Sequence, residues 1–268
     1  MTTTGAVAFQ FHSFNTMPLR HGMSGRHASA ALQGDVGHSP RADETVIETN
    51  RRAFLEELGI RLPDLVVARQ THSATVRAVT RVDRGRGLFP RFDGFPATDG
   101  LMTNEPSVAV AAIVADCVPL LLYDPRQHAL AVVHAGWRGT VGLIAAAAVE
   151  KMSVTYGTDP SDIVAGIGPS IGPCCYIVGE EVIDAWSAAS GKWGEKAARR
   201  DRSTRYLDLW TANRLILTEA GVSRGRIEDS AVCVRCEADR FFSYRAARHD
   251  GSPHGRMMFA AQLDRPGH

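Results

Sequence analysis

The sequence has no long hydrophobic run, because no segment of its 268 residues stays apolar over the roughly 18 positions that a transmembrane helix needs. Its opening residues, MTTTGAVAFQFHSFN, show no basic segment followed by an apolar core, the pattern of a secretory signal peptide. An excess of one charge is also missing, since the net charge is +1. We therefore expect a cytoplasmic protein with no membrane span and no nucleic-acid partner.

Cysteine is scarce and odd in number, with five residues at positions 117, 174, 175, 233 and 236. This count does not suit the disulfide framework of a secreted protein and favours a reduced compartment. Cys233 and Cys236 lie in SAVCVRC, which alternates like a strand, so we expect their side chains on opposite faces in a structural role. Cys174 and Cys175 are expected to be packing residues.

The hydrophobic content is 44%, which is enough for a sizeable core, and its periodicity predicts an α+β protein with a single domain over residues 1–268. Helices are predicted within 43–60, 140–157, 180–190 and 207–222. Strands are predicted within 64–79, 107–117, 119–124 and 128–137, at the start of 162–179, over 230–236 and at the end of 241–263. Loops are predicted over 16–45, within a loop-rich N-terminal segment of about 1–45, and over 81–100 and 196–206.

Three predicted strands end in a residue that can bind a metal: His72 in RQTHS, Cys117 in ADCVP and His134 in VVHAGWRG. Neighbouring strands of one sheet can bring such ends together. Two imidazoles and one thiolate would form a zinc site with one open position, which is the pattern of catalytic zinc. Taken singly, each histidine also fits a half-buried structural role, and Cys117 fits a small apolar side chain in a strand.

The stretch HAGWRGT predicts a strand, a glycine turn and then a helix that begins near Thr140. Free backbone N–H groups at such a turn favour an anion, and Arg138 would add a bidentate donor. The alternative is an ordinary turn with a solvent-exposed arginine.

The segments QTHS, ADCVPLLLYD, HAGWRGT, GPSIGPCCY, LDLW and FFSYR occur in the order typical of one family. From about Arg20 to Met258 the chain resembles the YfiH/YlmD family, also called multicopper polyphenol oxidoreductase (laccase-like) or peptidoglycan editing factor. The resemblance implies mixed sheets packed between helices, and a zinc site formed by His72, Cys117 and His134. It also implies phosphorolysis of adenosine, inosine and methylthioadenosine, and deamination of adenosine.

The chain departs from the family pattern near the expected substrate pocket. The N-terminal loop RHGMS has one glycine where the family has a pair, Ile177 stands where a glutamate is usual, and Arg245–Ala246 replaces a double arginine. These differences bear on substrate preference more than on metal binding.

Candidate substrate residues are the arginines for phosphate and sugar, namely Arg20, Arg69, Arg138 and Arg245. Arg69 would alternatively point outward from its strand. Asp116, beside Cys117, is a candidate proton shuttle, or else an aspartate that stabilises a turn.

Three kinds of chemistry remain open from the sequence. The first is a monomeric zinc enzyme acting on a purine nucleoside and phosphate, with a role in peptidoglycan editing compatible with it. The second is a metal-free thiol hydrolase with Cys117 as nucleophile and His134 as base. The third is a copper polyphenol oxidase, which the ten histidines favour less because none forms a His-x-His pair.

Overall fold

The computed structural model describes residues 6–37, 43–88 and 93–265, without the side chains of residues 192 and 193. The strands are β1 (Val7–Phe9), β2 (Leu19–Ser24), β3 (Leu65–Val67), β4 (Val76–Ala78), β5 (Gly100–Thr103), β6 (Ala109–Val114), β7 (Val118–Asp124), β8 (Ala129–Ala135), β9 (Val164–Ile167), β10 (Ala198–Asp201), β11 (Thr204–Leu207), β12 (Ile227–Asp229) and β13 (Met257–Leu263). The α-helices are α1 (Glu44–Glu57), α2 (Trp137–Val141), α3 (Ile144–Tyr156), α4 (Glu180–Ser190), α5 (Leu209–Glu219) and α6 (Tyr244–His249).

Two mixed sheets form the centre of the fold. The first has the strand order β1-β2-β13-β6-β3 and the second the order β12-β9-β7-β8-β5-β4, while β10 and β11 form a separate hairpin. Most pairs are antiparallel, and β3–β6, β4–β5 and β9–β12 are parallel. The long antiparallel pair β7–β8 holds the middle of the second sheet.

Strand alternation explains how the layers stack. In β8, Leu130 and Val132 pack between the two sheets, while Ala131 and Val133 face the layer of α3, α4 and α5. On the far side, Phe54 of α1 packs against the outer face of the first sheet. The predicted α+β architecture, with mixed sheets packed between helices, is therefore confirmed.

The predicted N-terminal loop is wrong in part. Residues 19–24 form β2, which lies between β1 and β13 in the first sheet, and β1 precedes it at 7–9. Five of the six β2 residues are buried, so this strand is enclosed on both faces. Its polar and glycine residues resembled those of a loop, which is why the sequence did not predict a strand here. Residues 1–5 and 38–42 of the predicted loop lie outside the described residues.

Four other segments differ from their predictions. The predicted basic loop 196–206 contains the hairpin β10–β11, whose exposed charged side chains resemble those of a loop. The predicted strand 230–236 is a turn with one isolated bridge at Cys233. The loop predicted within 241–263 contains α6, and the one predicted over 81–100 ends in β5, with residues 89–92 outside the description.

The predicted helix 140–157 is two helices rather than one. The chain turns at Gly142 and at Leu143, whose φ is +59°, so that α2 ends and α3 begins in a new direction. The continuous apolar pattern gave no signal of this break. Across the described ranges, no helix combines the length and the apolar character needed to cross a membrane.

A buried histidine makes the stability of this fold dependent on pH. His21 of β2 is 2% exposed, and its Nε2 accepts a hydrogen bond of 2.9 Å from the backbone N–H of Phe11. Burial lowers the pKa of His21 from 6.5 to about 4. The unfolded chain therefore binds a proton at a higher pH than the folded chain, and stability falls as the pH drops from about 6.5 toward 4.

We expect the free energy of unfolding to fall by about 2 kcal/mol through His21 between pH 7 and pH 5. A His21→Gln variant, which does not titrate there, should lose that part of the decrease even if it is less stable at pH 7. Urea unfolding at both pH values measures the difference, with the exposed His249→Gln as the matched control. An identical decrease in His21→Gln would show that other groups cause the pH dependence.

Candidate active site

The three strand-end residues converge in the structure. The ligand atoms of His72, Cys117 and His134 all lie within 4.8 Å of one another. Cys117 Sγ lies 3.9 Å from His72 Nε2, and the two imidazole rings have centroids 4.9 Å apart with an interplanar angle of 71°. His134 is buried, Cys117 half-buried and His72 exposed, so the cluster opens to solvent on one side.

The pairing of β7 with β8 positions two of these residues. Pro119 pairs with His134 and Val118 with Ala135, which places Cys117, just before β7, at the end of the sheet where β8 finishes. His72 comes from the turn before β4 and has a φ of +63°. The three side chains thus belong to one end of the second sheet, as the sequence predicted, although the ligands come from turns as well as strands.

Asp99, just before β5, holds both histidines of the cluster. Its carboxylate accepts hydrogen bonds from the His134 Nδ1–H at 2.8 Å and from the His72 backbone N–H at 2.9 Å. Further donors are Thr71 N, Ser73 N and Ser73 Oγ. With Nδ1 of His134 bonded to Asp99, Nε2 is the nitrogen left for a metal, which is the arrangement by which carboxylates orient metal-binding histidines.

The charges in the cluster stabilise the Cys117 thiolate and, as long as no metal is bound, a protonated His134. Burial alone would raise the pKa of the Cys117 thiol, but the two histidines outweigh it and lower the pKa to about 6. Burial would lower the pKa of His134, yet Cys117 and Asp99 raise it to about 9. Asp99 keeps a pKa well below its usual range despite burial, because His134 and Ser73 donate to its carboxylate.

The donor set fits a single zinc ion. A thiolate and two imidazoles are ligands that zinc prefers, and three protein ligands leave one position open for a substrate or water. Gly136 allows this close approach, since a Cβ at that position would lie 2.8 Å from both Cys117 Sγ and His72 Cδ2. The cluster can therefore hold a metal whose free position faces solvent.

A Gly136→Ala substitution is expected to weaken zinc binding at this cluster by about tenfold or more, because the added Cβ displaces the ligands. The φ of Gly136 is −72°, which alanine adopts without strain, so the effect is steric and local. Gly225→Ala is the matched control, as nothing lies within 4 Å of its added Cβ. Zinc affinity measured by competition with a chromophoric chelator tests this; equal affinities in the two variants would contradict it.

A cavity of about 790 Å³ opens in front of the cluster. His72, Cys117 and His134 line it together with five arginines, namely Arg51, Arg69, Arg138, Arg245 and Arg256. Trp137, Tyr176 and Tyr244 supply aromatic walls, and Asp116 is the one acidic residue among the described lining residues. The volume lies in the range of small-molecule sites, and the arginines favour an anionic ligand.

The predicted substrate arginines separate into two groups. Arg69, Arg138 and Arg245 line this cavity, and the Arg138 guanidinium stacks 4.3 Å from the Trp137 ring centroid. Arg245 donates to the Ile177 carbonyl at 2.8 Å. Arg20 lies elsewhere: its Nε contacts Asp264 at 3.0 Å, and it lines a different cavity.

The helix-terminus argument for Arg138 needs correction. The helix begins at Trp137 rather than near Thr140, and α2 has only five residues, so Arg138 lies within it. A helix this short has a weak macrodipole, and the attraction for an anion rests on the arginine side chains instead.

Asp116 joins the cavity wall to α6. It has a φ of +83°, and its carboxylate accepts hydrogen bonds from Ser243 Oγ at 2.6 Å and Arg245 N at 2.7 Å. Burial raises the pKa of Asp116 although both donors oppose the rise. The contacts link distant segments rather than stabilising a local turn, and the residue remains a candidate for proton transfer.

The sequence interpretation missed Asp99, Arg256 and the cavity role of Tyr176. The only signal for Asp99 was its place in TDG before a strand, which resembles an ordinary turn. Tyr176 follows the cysteine pair in CCY, and burial raises its pKa. Nothing in the local sequence distinguishes Arg256 from a surface arginine.

Comparison with known proteins identifies the family of this chain. A family model described as multi-copper polyphenol oxidoreductase laccase matches residues 16–264. The chain belongs to this laccase-like family, to which the YfiH and YlmD proteins are related. The recognition from sequence motifs is thereby confirmed.

The relatives in the laccase-like family carry names of nucleoside enzymes. The chain is 40% identical over 222 residues to purine nucleoside phosphorylase YlmD of Bacillus subtilis, covering 82% of this chain and 78% of that protein. It is 39% identical over 196 residues to an adenosine deaminase from an unknown prokaryotic organism, covering 73% and 74%. The crystal structure of YlmD from Geobacillus stearothermophilus superposes with a TM-score of 0.86 at 35% identity, covering 93% of both chains.

Proposed function

We propose that this protein is a zinc-dependent purine nucleoside phosphorylase that also deaminates adenosine. The observation that carries the proposal is the His72–Cys117–His134 cluster in the wall of an arginine-lined cavity of about 790 Å³. The names of the similar proteins support this choice of substrate class. Following the sequence, we place the activity in a cytoplasmic monomer, and a role in peptidoglycan editing is compatible with it.

The cavity residues have separate tasks in phosphorolysis. An oxygen of phosphate forms a bond with C1′ of the sugar, the bond from C1′ to the purine breaks, and the purine takes the electron pair and a proton. Arg69, Arg138 and Arg245 bind the phosphate and offset its charge, and the aromatic walls stack on the base. His72, Cys117 and His134 would hold the zinc ion, which when bound would supply Lewis-acid chemistry to this end of the cavity.

Deamination uses the same cavity without phosphate. Water adds to the purine carbon that bears the amino group, and ammonia leaves, so adenosine gives inosine. Asp116 is our candidate for carrying the proton, since its pKa is raised and it lines the cavity. Deamination requires the purine base to bind close to the His72–Cys117–His134 cluster, whereas phosphorolysis requires the sugar to bind there.

A metal-free thiol hydrolase is the second candidate, because Cys117, His134 and Asp99 also have the order of a nucleophile, a base and an orienting acid. The pKa of Cys117 is lowered to about 6 by His134 and His72, which makes it a thiolate at neutral pH. The position of His72 beside the thiolate favours metal binding over this alternative, since a hydrolase does not need a second imidazole there.

Product analysis tests the proposal. Zinc-loaded protein is incubated with adenosine, with and without phosphate, and adenine, hypoxanthine and inosine are followed by chromatography. We expect adenine only with phosphate and inosine without it. Protein with an intact zinc site that releases neither base nor inosine would leave the hydrolase or oxidase chemistry instead.

The phosphate contact can be tested separately. Arg138→Ala should raise KM for phosphate by about ten- to a hundredfold, the equivalent of one hydrogen bond to a charged group. Arg20→Ala, in the other cavity, is the matched control and should leave the phosphate saturation curve unchanged. A curve unaffected by Arg138→Ala would remove this residue from the phosphate site.

A further inference from the structure

The four cysteines other than Cys117 meet at one place on the surface. Cys174, Cys175, Cys233 and Cys236 have sulfur atoms that all lie within 4.8 Å of one another. Cys236 Sγ is 3.6 Å from Cys174 Sγ and 3.4 Å from Cys175 Sγ. Cys233 is buried and Cys175 half-buried, while Cys174 and Cys236 are exposed.

Two loops supply these cysteines in pairs. Cys174 and Cys175 follow β9 in a glycine–proline loop, and Cys233 and Cys236 follow β12. Residues 233–236 form a turn instead of the predicted strand, and Glu237 N donates to Cys233 O at 3.0 Å as the chain folds back. The sulfurs of Cys233 and Cys236 therefore both face the loop that carries Cys174 and Cys175. Cys174 and Cys175, which were predicted to be packing residues, and Cys233 and Cys236, which were predicted to point to opposite faces of a strand, therefore form one cluster.

The spacing of the sulfurs suits a single ion better than a disulfide or an iron–sulfur cluster. A disulfide joins two sulfurs at about 2.05 Å, whereas tetrahedral zinc with Zn–S bonds of about 2.3 Å places its sulfurs about 3.8 Å apart. The separations of 3.4 and 3.6 Å are close to that edge length. An iron–sulfur cluster puts several irons between its cysteines and needs a wider cage.

The electrostatics of the cluster also favour a cation. Four sulfur atoms within 4.8 Å of one another would repel each other as thiolates, so they need a positive charge between them in order to ionise together. The Cys233 sulfur accepts a hydrogen bond of 3.2 Å from the Gly172 N–H, a contact that stabilises a thiolate. A divalent ion would bind the thiolates as their protons pass to solvent.

We propose that Cys174, Cys175, Cys233 and Cys236 bind one zinc ion in a structural tetrathiolate centre, separate from the His72–Cys117–His134 cluster. Four protein ligands leave no open position, so the centre is structural. It joins the two loops that already pair at Ser170 and Val234. Tyr176 follows the first pair of ligands, and Ser243, the partner of Asp116, follows the second, so the centre fixes one wall of the cavity.

Metal counting in matched variants tests the second centre. Each protein is loaded with excess zinc, desalted and analysed by mass spectrometry for metal. The parent chain should hold two zinc ions, Cys117→Ala one, and Cys174→Ser/Cys236→Ser one, with none left when the three substitutions are combined. Both serine substitutions are at exposed positions, and circular dichroism together with the zinc remaining at the His72 cluster shows that the variant is folded.

Cobalt substitution gives an independent readout. Thiolate-to-cobalt absorption scales with the number of sulfur ligands, so the Cys174→Ser/Cys236→Ser variant should lose most of it and Cys117→Ala only about a fifth, since four of the five thiolates would belong to the second centre. A folded serine variant with as much zinc as the parent chain would overturn the proposal. So would a parent chain with one zinc ion and a mass deficit of two hydrogens, which indicates a disulfide.

Discussion

Replacing Cys117 with alanine is expected to remove the zinc of the His72–Cys117–His134 cluster and to lower phosphorolysis by about a thousandfold or more. The loss follows because two imidazoles alone hold zinc weakly, and a bound metal supplies several kcal/mol of stabilisation to the transition state. The fold should persist, since Cys117 lies in a turn and not in the apolar core.

The measurement is best made in the Cys174→Ser/Cys236→Ser background, so that every zinc ion counted belongs to this cluster. The background protein should contain one zinc ion and the Cys117→Ala form none, with equal circular dichroism spectra. Stoichiometric zinc in the Cys117→Ala form would show that another residue is the ligand.

Asp99→Asn is expected to produce the second large effect, a loss of about ten- to a hundredfold in zinc affinity. The asparagine amide has one acceptor oxygen in place of two, and its NH₂ group opposes donors from the 71–73 turn and His134. His72 and His134 would then lose their fixed orientation toward Cys117.

Affinity and stability must be measured together for Asp99→Asn, because the same hydrogen bonds also hold the turn before β4. Asp184→Asn, an exposed position on α4, is the matched control. We expect Asp99→Asn to retain activity at saturating zinc while its zinc dependence shifts to higher concentrations. An unchanged zinc dependence would mean that Asp99 stabilises the fold without positioning the ligands.

The sequence predicted the metal cluster because its ligands are tied to strong local signals. His72, Cys117 and His134 each lie where an apolar run stops, and all three are of residue types that can bind zinc, although each singly also fits a structural role. Asp99 escaped prediction because its role depends on contacts with His134 and the 71–73 turn, which are distant in the chain. A turn-forming aspartate and an orienting one have the same local sequence.

The fold class followed from the long apolar strands, whereas errors arose where composition and tertiary contacts disagreed. Charged residues concealed the hairpin β10–β11, and buried polar positions concealed β2. The alternating pattern of 230–236 predicted a strand, but this segment folds as a turn against the loop of Cys174 and Cys175. Whether a segment forms a strand or a turn depends on the residues that pack against it, and these are not visible in the sequence of the segment itself.

Zinc titration of metal-free protein tests the central claim most directly. The rate of phosphate-dependent adenine release from adenosine is measured as zinc is added back to the metal-free parent chain and, in parallel, to metal-free Cys117→Ala. We predict that both are inactive without metal, that the rate of the parent chain rises to a plateau once both centres are filled, and that Cys117→Ala stays inactive. Full activity without zinc, or a plateau reached with copper but not with zinc, would contradict a zinc-dependent nucleoside phosphorylase.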